Sequence, residues 1–403
     1  MTEKTQRPFG WWSSPMTPRS LAEDRRLDAA FWDSDGKTLV WLEGRSGRGV
    51  LVAQAAPGEA TRDVAPELDV RAEVGYGGGD FAVHSGYVYF VVHKTGRIYR
   101  QSLSGGPARP ITPAFGKSAS PAVSPDGRWV VYVHHDDDDV DRLAIVDAAG
   151  RRWPQMLAMG RDFYMQPRWS PDGTRLAWIA WDHPNMPWDA ALLEVATVVA
   201  ADGSVPRLGE SAVVAGAPEV AVFQPEFTTD GRSLLYVSDE SGWGRIVLHD
   251  LASGERRWLT PEGAEYAAPA WVQGMRTYAV SPDGRWLTAV RNDRGFLRLD
   301  RVELATGRGT TVDALADYGD ITQIAAAPDG DRVVLVASGP TRPVRIVEHD
   351  FAVGATRVVA RASSESVPRE ALAECEAVSW LSSDGDLAHG LYYAPASDRF
   401  EGT

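Results

Sequence analysis

Ser124-Pro125-Asp126-Gly127, Ser170-Pro171-Asp172-Gly173 and Ser281-Pro282-Asp283-Gly284 are three copies of one tetrapeptide. The Asp-Gly pair recurs at Asp35-Gly36, Asp230-Gly231 and Asp329-Gly330. After each pair comes a short apolar burst: 38–42, 129–133, 176–179, 234–237, 286–290 and 333–336. Asp-Gly between apolar runs signals a hairpin, because Gly takes positive φ without steric cost. Pro ahead of it sets φ near −65° at the turn entry. The bursts are rich in Val, Leu, Trp and Tyr, which suit pleated, half-buried strands. Successive turns lie roughly 45 to 60 residues apart, the length of one four-stranded blade. The gap from Gly36 to Gly127 is about twice that. It holds a degenerate unit: strand 80–83, turn Ser85-Gly86, strand 87–92.

Seven units of four antiparallel strands predict an all-β fold, a seven-bladed β-propeller. In the fourth unit the strands are expected at 166–169, 175–181, 190–199 and, after a turn at Asp202-Gly203, up to Val214. The expected division is an N-terminal extension (1–25), the propeller (26–365) and a linker with a hairpin (366–403).

Composition narrows the partners. The net charge of −14 argues against nucleic acid and anionic membrane surfaces. The chain has no run of 18 apolar residues and no apolar leader in 1–8. Cys375 is the only cysteine, so an intrachain disulfide is impossible. These features set the expectation of a cytoplasmic protein without a cofactor. Fifteen Trp are suited to the wide interfaces between blades.

Four strings go beyond a generic propeller: Phe9-Gly10-Trp11-Trp12-Ser13-Ser14-Pro15-Met16, Glu73-Val74-Gly75-Tyr76-Gly77-Gly78-Gly79-Asp80-Phe81, Trp181-Asp182-His183-Pro184-Asn185-Met186-Pro187-Trp188-Asp189 and Ser238-Asp239-Glu240-Ser241-Gly242-Trp243. Together they resemble the bacterial dipeptidyl aminopeptidase/acylaminoacyl-peptidase branch of the prolyl oligopeptidase family. The resemblance implies a propeller that caps an α/β-hydrolase domain and restricts which peptides enter. Residues 377–385 and 388–395 look like the first hairpin of that hydrolase domain, so Asp384-Gly385 is not expected to open an eighth blade.

The nucleophile elbow of that fold needs Gly-x-Ser-x-Gly, and this sequence has no such string. Ser104-Gly105-Gly106-Pro107 sits at a blade hairpin tip and is not read as an oxyanion loop. The chain is therefore expected to be non-catalytic as it stands. Its partners are then a peptide substrate or a separate hydrolase domain or chain, with oligomerisation open. The alternative reading is a stand-alone propeller that binds proteins or peptides as a scaffold. A metal-dependent propeller enzyme would need inward Glu, Asn, Asp and His from several blades, and no such set stands out.

Candidate site residues fall in three places. The 181–189 loop is stiffened by two prolines and anchored by two Trp. Either it locks blade four, or Trp181, Asp182, His183, Asn185, Met186, Trp188 and Asp189 shape substrate access and the domain interface. Arg71, Glu73 and Tyr76 accompany a glycine cluster that lacks the Lys-Ser/Thr and helix of a phosphate loop. Its glycines are expected to let backbone pass close to a neighbouring blade, and Arg71 and Glu73 are candidates to pair with a partner domain or a peptide terminus. In 134–141, Asp136 and Asp138 are weak candidates for a hard cation, against the reading of a solvated acidic loop. The tail from about Ala371 is expected to be poorly ordered or to pack on an improvised partner, with Leu381, Leu387, Leu391, Tyr392 and Tyr393 exposed.

Overall fold

The structure is a computed structural model that describes residues 4–22, 25–200 and 204–402. The Asp202-Gly203 turn lies outside the described residues. Seven four-stranded antiparallel sheets follow one another along the chain, each built from four consecutive strands. Blade 1 is Arg26–Trp32, Leu39–Arg45, Arg48–Gln54 and Arg62–Val64. Blades 2 to 6 span 81–110, 117–158, 163–215, 222–258 and 278–311. Blade 7 is Asp320–Ala326, Arg332–Gly339, Arg342–Asp350 and Ala355–Arg361. The degenerate second unit is a complete blade, opening with Phe81–His84 and Tyr87–Val92.

The repeated turn works locally. The glycine amide donates to the carbonyl three residues back in Asp33–Gly36, Ser124–Gly127, Ser170–Gly173, Thr228–Gly231 and Ser281–Gly284, at 2.8–2.9 Å. Each of these glycines sits at φ 68–70°. The Ser170 hydroxyl donates to Asp172 Oδ1 (2.6 Å) and accepts the Arg175 amide (2.9 Å), closing the hairpin from within. Blade 7 departs from the pattern. Ala327 replaces the serine there, Gly330 is not left-handed, and the Asp329 carboxylate pairs with Arg332 instead.

A second device lies on the inner strands. Ser120, Gln166 and Gln224 adopt φ 49–51°, each precedes a proline, and each marks a register shift against its partner strand. These are β-bulges, which bend the strand and re-aim a side chain. A non-Gly residue held left-handed costs on the order of 1–3 kcal/mol, so its surroundings must fix it. They do so here. The Gln166 side chain accepts the Gln224 amide (2.7 Å), and Gln224 accepts the Thr277 amide and donates to Tyr278 O (both 2.7 Å). Blades 4, 5 and 6 are thereby stitched around the channel.

Among the described residues no strand is exchanged where the ring closes, so side-chain contacts hold blade 7 to blade 1. Leu27, Ala30, Trp32 and Trp41 pack with Ala325, Val334, Val336 and Ile346. Arg332 lies over the Trp32 ring (4.6 Å), donates to Gly36 O (2.6 Å) and pairs with Glu348 (3.1 Å).

Antiparallel order puts all second-to-third-strand loops and all blade-to-blade connections on one face, here the upper face. The chain enters blade 1 and leaves blade 7 on that face, where the Arg25 amide donates to Ala362 O (2.8 Å). The tail forms a hairpin, Cys375–Leu381 with Leu387–Tyr393, in full register from Cys375↔Tyr393 to Leu381↔Leu387. Its Leu391 lies against Gly295 at a loop tip of blade 6. The tail has a partner: Phe400–Gly402 pairs in parallel with Thr5–Arg7. Trp12 stacks near Phe400 (6.3 Å), and Arg399 donates to Ser13. Residues of the N-terminal extension thus fold with the tail. Among the described residues no helix is long and apolar enough to cross a membrane.

Candidate functional site

The 181–189 loop is fixed at both ends. Trp181 is buried and stacks on Phe163 (5.1 Å, 19°). Asp182 accepts Arg161 Nη1 and the Asp162 amide, each at 2.9 Å, while Arg161 also reaches Glu194 (3.1 Å). The His183 amide and Nδ1 both meet Asp162 Oδ2 (2.9 and 3.0 Å), and these contacts hold the Asp162 carboxyl below its usual range. The His183–Pro184 peptide is cis. The Asn185 amide donates to Asp182 O (3.1 Å). Asp189 accepts the Met186 amide (3.0 Å) and returns its own to Met186 O (2.9 Å).

This framework holds Trp188 between two rings from other loops: Trp271 at 4.9 Å and Tyr76 at 6.1 Å. Tyr76 is 65% exposed and Trp271 55%. Tyr76 is raised on the glycine loop, whose four glycines are all left-handed. A Cβ at Gly78 would fall 2.4 Å from Gln273 O, so only glycine allows this approach. The Gln273 amide donates to Gly77 O (2.8 Å) and the Ser120 amide to Gly79 O (2.8 Å). Gln273 also accepts the Ser120 hydroxyl (2.8 Å) and donates to Tyr164 O (2.8 Å). A strap made by the loops before blades 2 and 6 therefore crosses the channel mouth and is tied to blades 3 and 4.

At the strap lies a cavity of about 890 Å³, lined by the strap itself and the inner strands of blades 7 and 1, with Lys117, Ser120, Gln166 and Arg168 from blades 3 and 4. Arg71, Glu73, Tyr76 and Trp271 line it, with Asp80 and Lys117. Glu73 is held by His93 Nε2 (2.7 Å), with Lys117 at 3.9 Å. Burial pushes the Asp80 carboxyl up, against the Ala72 amide it accepts at 2.8 Å. Arg71 has no ion pair and no side-chain hydrogen bond among the described residues. Glu226 sits between Arg168 (3.0 Å) and Arg276 (2.6 Å). Burial pushes its carboxyl up, but the two guanidiniums outweigh this and hold it below the usual range.

The acidic loop satisfies itself. Asp136 pairs with Arg142 and accepts the Asp138 and Val140 amides (3.0 and 3.1 Å). His135 meets Asp141 (2.8 Å) and Asp139 (3.2 Å). The Asp138 side chain points to solvent. Among the described residues no three His, Cys, Asp or Glu converge as metal ligands. A serine–histidine hydrogen bond does occur, Ser379 to His389 (2.8 Å), but it is an exposed cross-strand pair. His389 has no carboxylate partner among the described residues, so this is not a catalytic triad.

The structure thus joins Tyr76 and Trp188 at one rim, and Tyr76 lines the same cavity as Arg71 and Glu73. It keeps Trp181, Asp182, His183, Asn185 and Asp189 as the frame beneath, and sets Asp136 and Asp138 apart. Sequence reasoning missed Trp271 and the channel glutamines. The glutamines had a signal: Ser120-Pro121, Gln166-Pro167 and Gln224-Pro225 repeat at a constant offset from the Asp of each following turn.

No protein-family model matches the chain. It is 24% identical over 198 residues to the uncharacterized peptidase YuxL of Bacillus subtilis, covering 49% of this chain and 25% of that protein. The structure of a puromycin-hydrolyzing peptidase of Mycobacterium tuberculosis matches 99% of this chain at 26% identity and TM-score 0.88. This chain spans 62% of that one. Prolyl oligopeptidase B of Galerina marginata shares the fold, with TM-score 0.69 over 93% of this chain at 15% identity. The structural neighbours of this chain are peptidases of the prolyl oligopeptidase family, matched over its seven-bladed propeller.

Proposed function

We propose that this chain is the substrate-access portion of a prolyl oligopeptidase-family serine peptidase that acts on peptide N-termini. On this reading it has no nucleophile of its own and works with an α/β-hydrolase unit seated on the upper face. The observation that carries the reading is the match to the puromycin-hydrolyzing peptidase, which covers 99% of this chain, tail hairpin included. The hairpin itself supports a docked partner. Trp380, Leu381, Leu387, Tyr392 and Tyr393 are all at least 50% exposed, and an isolated two-stranded hairpin is marginal in water. The single cysteine fits a reducing, cytoplasmic setting. The net charge gives no reason to propose a nucleic-acid or anionic-membrane partner.

Two assays test the reading. The 403-residue chain alone should not hydrolyse aminoacyl or acylaminoacyl p-nitroanilides. Joined to the hydrolase portion of the puromycin-hydrolyzing peptidase, it should support cleavage of tripeptides and exclude folded proteins. Fluorophosphonate-sensitive turnover by the chain alone would refute the reading, as would a chimera that ignores substrate size.

A further inference from the structure

The cavity lining holds eight charged side chains: Arg26, Asp28, Arg71, Glu73, Asp80, Lys117, Arg168 and Asp320. Seven are engaged. Arg26 pairs with Asp28 (2.9 Å), Arg168 with Glu226 (3.0 Å) and Lys117 with Glu73 (3.9 Å). Asp320 accepts the Ser338 hydroxyl (3.2 Å), and Asp80 accepts a backbone amide. Arg71 alone is left without a partner among the described residues. A free guanidinium on an open surface is ordinary. Arg71 is exposed, but it lines the same cavity as Tyr76 and Trp271, and with the carboxylates there already taken it stands open to an anionic group.

The neighbouring rim is equally specific in shape. Tyr76, Trp188 and Trp271 come from three separate loops and present an open aromatic surface. All three loops are held by the contacts described above, so the rings lose little freedom when a ligand packs on them. Rigid aromatic side chains give large contact area at low entropic cost. The cavity volume falls within the range of small-ligand pockets, roughly 300–1,000 Å³.

We propose that Arg71 and the Tyr76–Trp188–Trp271 cluster form one bipartite site for a short peptide ending in a free carboxylate. Arg71 takes the carboxylate, and the three rings take an apolar or aromatic side chain beside it. This inference rests on the access reading and adds to it the class of peptide that the rim selects.

The test is a tryptophan-fluorescence titration of the full chain with Gly-Gly-Phe, its C-terminal amide and Gly-Gly-Gly. Gly-Gly-Phe should bind tightest, and amidation should weaken it roughly tenfold, as loss of one charge-assisted contact would. Arg71→Gln should weaken Gly-Gly-Phe to the level of the amide and leave the amide unchanged. Trp271→Ala, followed by calorimetry, should weaken both phenylalanine peptides and leave Gly-Gly-Gly unaffected. Arg71 has no partner to lose, so its variant should melt with the parent. The proposal is overturned by absence of binding, by an Arg71→Gln variant that weakens acid and amide alike or neither, or by indifference to the aromatic side chain. A chimera that still excludes folded proteins while the titration fails would leave the access reading intact and remove this one alone.

Discussion

Gln224→Ala is the sharpest test of how the channel is held. The Gln224 side chain is 1% exposed, and its amide group serves two backbone groups of the next blade. It accepts the Thr277 amide and donates to Tyr278 O, both at 2.7 Å. Thr277 and Tyr278 are buried too, so water cannot easily replace the lost partner. Each orphaned buried group costs about 1–3 kcal/mol, which gives about 2–6 kcal/mol for the pair. A propeller of this size unfolds with an entropy of about 0.7 kcal/mol/K, so Tm should fall by about 3–9 °C. Differential scanning calorimetry measures this directly. Hydrogen exchange adds a local readout: the Thr277 amide should lose protection ahead of amides in blade 2. A Tm shift under about 1 °C with unchanged Thr277 exchange would refute the idea that the glutamine stitch holds the bulged inner strands.

Three further outcomes follow from the same geometry. Arg332→Ala should destabilise the ring closure by about 2–3 kcal/mol, since it strips Glu348 of one guanidinium and Gly36 O of its donor; hydrogen exchange should accelerate in Arg26–Trp32 more than in Arg175–Trp181. The Asp172 carboxyl is held at about 2 by the Ser170 hydroxyl and then the Thr174 amide and hydroxyl. A carboxyl depressed in the folded state adds stability above its unfolded value near 3.8 and loses it as pH falls toward 2; Asp172→Asn should therefore flatten acid-induced melting between pH 4 and 2, with little difference in slope above pH 5. Trypsin should cut first at Arg369, whose side chain is 64% exposed, and removing residues 1–17 should speed that cut because the tail then loses its paired strand; mass spectrometry of the fragments decides it.

What the sequence discloses and what it hides divides along the range of the interactions. The Ser-Pro-Asp-Gly turn is satisfied inside six residues, by Ser170, Asp172, Gly173, Thr174 and Arg175, so its spelling announces it. Seven such units fix the blade count even where one turn reads Ser85-Gly86. The bulges are half-legible. Their Ser-Pro and Gln-Pro pairs repeat in register with the turns, but the partners that hold them, such as Thr277 and Tyr278, lie more than 50 residues away. The pairing of Thr5–Arg7 with Phe400–Gly402 is less legible still, because three-residue strands at opposite ends of a chain carry no periodicity.

The rim is the extreme case. Trp188 stands out in sequence because a dense Trp-Pro-Asp string surrounds it, and Tyr76 because glycines flank it. Trp271 lies in a long connection with no repeat to mark it, and it matters only because two other loops arrive beside it across the ring. Closure of a propeller brings every blade-to-blade connection to one face, whatever its sequence separation. A site on that face is therefore assembled from residues that local patterning has no means to associate. The free guanidinium of Arg71 belongs to the same category. Its vacancy is a statement about seven other charged groups in the cavity, each already matched, and only the closed ring places those groups around it.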